Sequence, residues 1–223
     1  MKKVLSTTGR FCMTMLILFI ISVGCNASYS QTDWRFEGQK EDLLLSASEM
    51  PPGWTLEQEG TSLQADVPNV HVIYDTELDT FLTNSLISHE IIVFDQPKEA
   101  SELIEEDYQM WLDLAKEVIE PFDLQWDDFS PLPEHTYSSP LADEFRVLYY
   151  PEMSVMGPMV GFHYTVWARY GNVVSIFATI IEDEELTQIS AETANVIPWG
   201  QVEQLLETID QRFAEAGKFE AQK

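Results

Sequence analysis

Three methionines follow one another at intervals of three residues in the second half of the chain, at Met153, Met156 and Met159. Thioether sulfur is a soft ligand that suits Cu(I), so a protein working outside the cytoplasm could bind copper through such groups. A Gly-Pro pair between the last two methionines interrupts any helix that would align the three sulfurs. Because Met also fills gaps in apolar cores and lines contact surfaces, packing and partner contact remain alternative interpretations.

A second candidate site combines aromatic, imidazole and guanidinium groups on two strand-like segments that flank the turn signal Tyr170-Gly171-Asn172. We expect a three-residue loop that pairs Arg169 with Val173, because a two-residue loop would bury polar groups among apolar ones. One face of the hairpin then carries Arg beside large aromatic side chains, a combination that binding sites favour. The alternative is that a helix covers this face, which would make Trp167 a core residue; the same question applies to Trp126. The candidate ligand-binding residues are therefore His163, Trp167, Arg169, Phe177 and Trp126.

Acidic residues occupy alternate positions in Asp75-Thr76-Glu77-Leu78-Asp79, as at the start of a calcium-binding loop. The match then fails, because Thr80 stands where such a loop requires glycine and Leu86 where it requires a bidentate glutamate. Solvated acidic loops are the simpler interpretation, and calcium binding is the alternative.

Motifs that support catalysis are absent from the sequence. It contains no Gly-x-Ser-x-Gly, no glycine-rich phosphate loop, and four scattered histidines without the close spacing of a metal site. A hydrolase would also need a nucleophile, a base and an oxyanion site within mutual reach. The sequence therefore predicts a non-enzymatic protein that needs no cofactor.

The N-terminal segment has the pattern of a bacterial lipoprotein signal peptide. Two lysines and Arg10 precede an apolar run over residues 11–23, and Gly24-Cys25 follows. The run is too short to span about 30 Å of hydrocarbon as a helix, and a small residue stands before the break. We expect cleavage before Cys25 and lipidation of its sulfur. The predicted location is the cell membrane, lipid-anchored and facing outside the cytoplasm.

Composition limits the partners of the mature chain. The net charge of −26 becomes −29 after cleavage, because the leader contains three basic residues and no acidic one. Binding to nucleic acid requires clustered Lys and Arg that neutralise phosphates. Because this chain is strongly acidic, nucleic acid is excluded as a partner. Cys12 leaves with the leader, and Cys25 alone cannot form an internal disulfide. Apolar residues at 45% and aromatic residues at 12% are enough to fold a domain rather than a disordered chain.

Four regions are expected along the chain. Residues 1–24 are the signal peptide, 25–39 a flexible tether, 40–217 a single acidic α+β domain, and 218–223 a disordered tail. We predict an antiparallel sheet of about five to seven strands, packed by a long central helix and a C-terminal helix. The predicted elements are helices over 97–119 and 198–216, and strands near 54–58, 67–74, 85–94, 144–150, 159–169 and 173–181.

Three short signatures resemble a group of bacterial extracytoplasmic domains. They are the run Leu-Leu-Leu-Ser-Ala-Ser-Glu-Met-Pro-Pro-Gly-Trp over 43–54, Ile92-Val93-Phe94-Asp95 before Ala100, and Arg169-Tyr170-Gly171-Asn172-Val173-Val174 followed by the apolar helix 202–213. The chain resembles the extracellular sensor domains of mycobacterial receptor kinases and, more remotely, the Mog1/PsbP-like lipoproteins. The resemblance implies a non-catalytic domain that senses or binds a small ligand, or an interaction and assembly factor with a protein partner at the membrane. A copper- or calcium-handling protein is the third possibility.

Overall fold

Six strands form the framework of the part of the chain that the structure describes. This computed structural model describes residues 35–64, 67–76, 86–120, 136–153, 159–181 and 196–216. The strands are β1 (Trp54–Gln64), β2 (Val67–Thr76), β3 (Ile87–Val93), β4 (Glu144–Met153), β5 (Met159–Tyr170) and β6 (Val173–Ile181). They form one sheet in the order β1-β2-β3-β6-β5-β4, and every neighbouring pair is antiparallel.

Two α-helices pack on this sheet, α1 (Pro97–Ile119) and α2 (Trp199–Ala216). Two short 3₁₀ turns, Lys40–Leu43 and Ala47–Glu49, precede β1. The predicted α+β fold, with an antiparallel sheet, a long helix and a C-terminal helix, is confirmed. Proline at the first position of α1 marks its start, as predicted, since proline is pre-set for the helical φ and lacks the N–H that would have no partner there.

The two helices cover opposite faces of the sheet. Phe213 of α2 belongs to one apolar cluster with Tyr164 of β5, whereas Ile104 of α1 belongs to a second cluster with Trp167 of β5 and Val174 of β6. Central strands of this sheet are therefore buried on both sides. That burial explains why β6 is apolar on both faces, with adjacent apolar residues at Val173-Val174 and Ile180-Ile181, instead of strictly alternating.

The hairpin of β5 and β6 closes with only two residues, Gly171 and Asn172, and it pairs Arg169 with Val174. The predicted three-residue loop, with Arg169 opposite Val173, is wrong. Gly171 has a φ of 61°, which glycine adopts without strain and which a tight hairpin turn requires.

The corrected register separates two of the candidate site residues. Phe177 belongs to the cluster beneath α2, whereas Trp167 belongs to the cluster beneath α1. Arg169 is a buried polar group with partners: it is 6% exposed and donates to Asp143 Oδ2 at 3.2 Å and to the Gly171 carbonyl at 3.0 Å. The register prediction failed because both faces of the hairpin are covered, so apolar alternation does not distinguish them.

Packed structure extends to the N-terminal side of the predicted domain boundary at residue 40. Phe36 is 7% exposed, and its backbone N–H donates to Asn172 Oδ1 at 2.8 Å. Part of the segment predicted as tether therefore belongs to the folded unit. Residues 1–34 and 217–223, which include the predicted leader and tail, lie outside the described residues.

Buried Asp210 joins α2 to the segment before β4. Its carboxylate accepts hydrogen bonds of 2.6 Å from the hydroxyls of Tyr137, Ser139 and Tyr170. Charge-assisted bonds of this kind offset the cost of burying the carboxylate. No helix within the described ranges is long and apolar enough to cross a membrane.

Candidate functional site

A cleft of about 670 Å³ lies between the second half of α1 and the sheet face beneath it. Strands β3, β5 and β6 form its floor, and α1 forms one wall. The volume is within the range of small-molecule sites, roughly 300–1,000 Å³. The described residues that line it are Leu86, Ser88, Glu90, Asp107, Met110, Trp111, Tyr150, His163, Thr165, Trp167, Ile176, Ala178, Thr179 and Ile180.

The cleft exists because α1 carries more apolar surface than the sheet covers. The stripe on its sheet-facing side starts with Leu103 and Ile104, which are buried at 7% and 0% exposure. At the same helical spacing the stripe continues to Met110, Trp111 and Leu114, which are 56%, 38% and 45% exposed. Further along the helix Ala115 and Ile119 are buried again, so only one side of the second half leaves an apolar wall open.

Trp167 and Asp107 meet at the inner end of the cleft. The indole is fully buried, and its Nε1–H donates to Asp107 Oδ2 at 2.7 Å. The ring also packs edge-on against Tyr108, with 5.7 Å between ring centroids. Burial raises the pKa of Asp107, and the hydrogen bond from Trp167 opposes that rise.

Glu90 supplies a second carboxylate from the floor of the cleft. Its Oε1 accepts a short hydrogen bond from the side-chain amide of Asn69 on β2. Burial raises the pKa of Glu90, the Asn69 bond opposes the rise, and the negative charge of Asp107 adds to it. Burial therefore raises the pKa of both carboxylates that line the cleft.

An aromatic pair forms another side of the cleft. Tyr150 of β4 and His163 of β5 are cross-strand neighbours, and their rings stack with 4.7 Å between centroids and 18° between planes. Offset stacking of this kind fixes the orientation of both rings. Together with Trp111, which is 38% exposed, they give the cleft flat surfaces on which an apolar or aromatic molecule could pack.

The structure brings together two of the five residues predicted to bind a ligand. His163 and Trp167 both line the cleft. Arg169 instead forms a buried ion pair with Asp143 near the turn, and Phe177 lies on the opposite face of the sheet. Trp126 lies outside the described residues. Phe177 therefore does not share a face with Trp167, because that part of the expected grouping depended on the three-residue loop. Arg169 stays on the Trp167 side of β5, but it pairs with Asp143 and does not line the cleft.

The described residues include only part of the candidate metal sites. Met153 and Met159 are paired at the ends of β4 and β5, where a bulge occurs, and Met156 lies outside the described residues. In the predicted calcium loop only Asp75 and Thr76 are described, at the end of β2. Among the described residues, no group of three or more His, Cys, Asp or Glu side chains could hold a metal ion. Cys25 is not among those residues either.

Sequence reasoning missed Glu90 and Asp107. A signal for Asp107 was present, because it lies four residues after Leu103 and three after Ile104, on the apolar stripe of α1. A carboxylate on the apolar side of an amphipathic helix is unusual and indicates a buried partner or a site. Glu90 gave a weaker signal, since an acidic residue in a strand is ordinary on a solvated face.

No protein-family model, no curated protein and no solved structure matches this chain closely enough to identify a relative. The resemblance to receptor-kinase sensor domains and Mog1/PsbP-like lipoproteins therefore stays a prediction. What the geometry itself provides is a concave apolar surface with a few convergent polar groups, which is the usual composition of a small-molecule site.

Proposed function

We propose that this protein is a membrane-anchored, extracytoplasmic binding or sensor domain that takes a small apolar molecule into the cleft between α1 and the sheet. The observation that carries the proposal is the cleft itself, which is lined by His163, one of the residues predicted to bind a ligand; Trp167 is a core residue beneath α1, as in the alternative interpretation of that face. The lipoprotein signal ending at Cys25 supports the anchored location. Absence of catalytic motifs from the sequence supports binding rather than catalysis.

The apolar surface of the cleft favours a ligand that is itself largely apolar. Trp111 and Met110 present exposed apolar area on one wall, and Ile176 and Ala178 present apolar side chains on the floor. Burying such surface against a ligand gains roughly 25 cal/mol per Å² before the costs of association. A molecule with a substantial apolar body is therefore the natural occupant.

A second candidate function is a protein interaction at the membrane. The apolar stripe of α1 continues past the cleft to Leu114 and Val118, which are 45% and 37% exposed. A stripe of exposed apolar residues can serve as a contact surface. Met110 and Trp111, however, border a concave space, which a flat protein contact would leave partly empty, so the small ligand remains the stronger proposal.

Filling the cleft tests the proposal. Ala178 lies on the cleft floor opposite Thr165 and is only half-buried, so Ala178→Trp places a large side chain in open space without overpacking the core. Binding of phenylbutanol, a neutral apolar probe, is measured by ligand-detected NMR with the full chain in lipid nanodiscs. We expect the signal of the unmodified protein to fall at least roughly tenfold in the variant.

The control variant is Leu56→Trp, which adds the same side chain at a position that is 45% exposed and does not line the cleft. It should bind phenylbutanol like the unmodified protein, and empty nanodiscs measure partition into lipid. Equal binding by all three proteins would show that the probe does not use the cleft. If phenylbutanol binds to none of the three proteins, the proposal is overturned.

A further inference from the structure

The cleft is negatively charged, and no lysine or arginine is among the described residues that line it. Glu90 comes from β3 and Asp107 from α1, so the two carboxylates approach the space from the floor and from the wall. Their hydrogen bonds from Asn69 and Trp167 come from neutral donors, which orient the carboxylates without cancelling their charge.

The arginine on the neighbouring strand is engaged elsewhere. Arg146 of β4 donates to Glu105 Oε2 at 2.8 Å, and its guanidinium lies 5.7 Å from the centre of the Tyr108 ring. It does not line the cleft. The negative charge of Glu90 and Asp107 is therefore uncompensated by any described lysine or arginine of the cleft.

Uncompensated carboxylates in an apolar cleft cost free energy unless they take up a proton or meet a cation. Burial raises the pKa of both groups, which is the first of these responses. We infer that the second response is the functional one: the cleft binds an organic cation, an amine whose apolar body packs on the aromatic walls. This inference rests on the proposed function of the cleft as a ligand site.

The chemistry of the walls favours an organic amine over an inorganic ion. Trp111, which is 38% exposed, offers an aromatic surface that attracts a cation through the ring quadrupole, and the stacked rings of Tyr150 and His163 also line the cleft. A metal ion prefers three or more oxygen ligands, and no such group of side chains occurs among the described residues. A carboxylate ligand would be repelled by Glu90 and Asp107, so an apolar amine is selected over the alcohol and the acid of the same shape.

Three probes of equal shape separate charge from apolar contact: phenylbutylamine, phenylbutanol and phenylbutyrate. Their dissociation constants are measured by calorimetry with the full chain in nanodiscs. We expect the amine to bind roughly tenfold or more tightly than the alcohol, and phenylbutyrate to bind most weakly. The double variant Glu90→Gln/Asp107→Asn should bind all three probes with similar affinity.

The two substitutions are conservative by design. The Gln carbonyl can still accept from Asn69, and the Asn carbonyl can still accept from Trp167, so only the negative charges are removed. Glu57→Gln removes one charge from an exposed position of β1 outside the cleft, and it should keep the preference for the amine. Retained binding of phenylbutanol by the double variant shows that its cleft is still formed.

Two failures of this experiment are distinguishable. If phenylbutanol binds in the cleft but phenylbutylamine binds no better, or if the double variant keeps the preference for the amine, the inference about charge is wrong and the binding function stands. If none of the three probes binds the unmodified protein, the proposed function itself is overturned.

Discussion

At the scale of single residues, His89 shows how this protein buries polar groups that the sequence places among apolar ones. It is 0% exposed in β3, beneath the segment that follows the first 3₁₀ turn. Its Nδ1 accepts the backbone N–H of Leu45 at 3.1 Å, which leaves Nε2 protonated to donate to Ser175 Oγ at 2.9 Å. The ring is thus held as one neutral tautomer.

His89 predicts a pH dependence of stability. Burial lowers the pKa of His89 from 6.5 to about 3, and the positive charge of Arg212 adds to this effect. Between pH 6.5 and about pH 3 the imidazole of His89 binds a proton in the unfolded chain but not in the folded chain. The contribution of His89 to the free energy of unfolding is therefore fully present above pH 6.5 and is lost as the pH falls. We expect this residue alone to lower the free energy of unfolding by roughly 1 kcal/mol between about pH 7 and pH 5.5.

The measurement compares urea unfolding of the protein and of His89→Asn over that pH interval. Asn places an amide oxygen near the position of Nδ1, so it can still accept from Leu45 while it cannot titrate. All other groups titrate in both proteins, and the difference between the two pH profiles isolates His89. Parallel profiles would contradict a buried neutral imidazole.

At the scale of elements, Asn172 connects segments far apart in the sequence. Its Oδ1 accepts the Phe36 N–H at 2.8 Å, and its Nδ2 donates to the Phe94 carbonyl at 2.6 Å. Its own carbonyl accepts the Phe94 N–H at 2.9 Å. One turn residue thereby satisfies backbone groups at the end of β3 and near the N-terminal end of the described residues.

Asn172→Ala should therefore destabilise the fold although Ala is a small change in volume. The Phe36 N–H and the Phe94 carbonyl both lose their side-chain partner in a buried place, which costs about 2–4 kcal/mol of unfolding free energy. Chemical denaturation measures this loss of unfolding free energy. Thr208→Ala, at a half-buried position where the hydroxyl donates to the Gln204 carbonyl of its own helix, should change stability by less than about 0.5 kcal/mol. An equally small loss for Asn172→Ala would refute this role.

The helices were predicted almost to the residue, whereas the strand register was not. The 3.6-residue apolar period of α1, with Pro97 at its start, defines one buried stripe and therefore one orientation. For β5 and β6 the period is uninformative, because Trp167 and Phe177 are both fully buried on opposite faces. Only the two-residue turn at Gly171 and Asn172 decides which residues are opposite each other.

At the scale of the whole molecule, the net charge favours the class of ligand that we propose for the cleft. The net charge of the chain, −26, or −29 after the proposed cleavage, repels other anions and attracts cations over distances of about 8 Å in physiological salt. Such a field would raise the local concentration of a cationic ligand and speed its encounter with the cleft. The acidic surface and the acidic cleft therefore favour the same class of ligand.

The anchor has its own test. Cys25→Ser removes the sulfur that the signal sequence predicts to be lipidated, so incorporation of labelled palmitate should be lost in the full chain expressed in a bacterial host. Cys12→Ser is the matched control, because Cys12 lies within the leader and should be removed with it. Palmitate label that persists in Cys25→Ser, or that disappears in Cys12→Ser, would exclude lipidation at the predicted position.

The sequence by itself determined the class of fold, both helices and the approximate position of each strand. These follow from local patterns: apolar periodicity, proline at a helix start and glycine at a turn, all of which act within a few residues. It also contained the acidic residue on the apolar stripe of α1, although not the meaning of that residue.

Only the tertiary structure decided which side chains share the cleft. Glu90 and Asp107 come from elements that the sequence does not show to be neighbours, and Phe177 leaves the group because the hairpin closes one residue earlier than expected. The physical reason is that strand pairing and helix placement depend on packing over the whole sheet, where a one-residue change of register exchanges the two faces. Local patterns determine the secondary structure of each segment, and packing across the whole sheet determines which side chains contact one another.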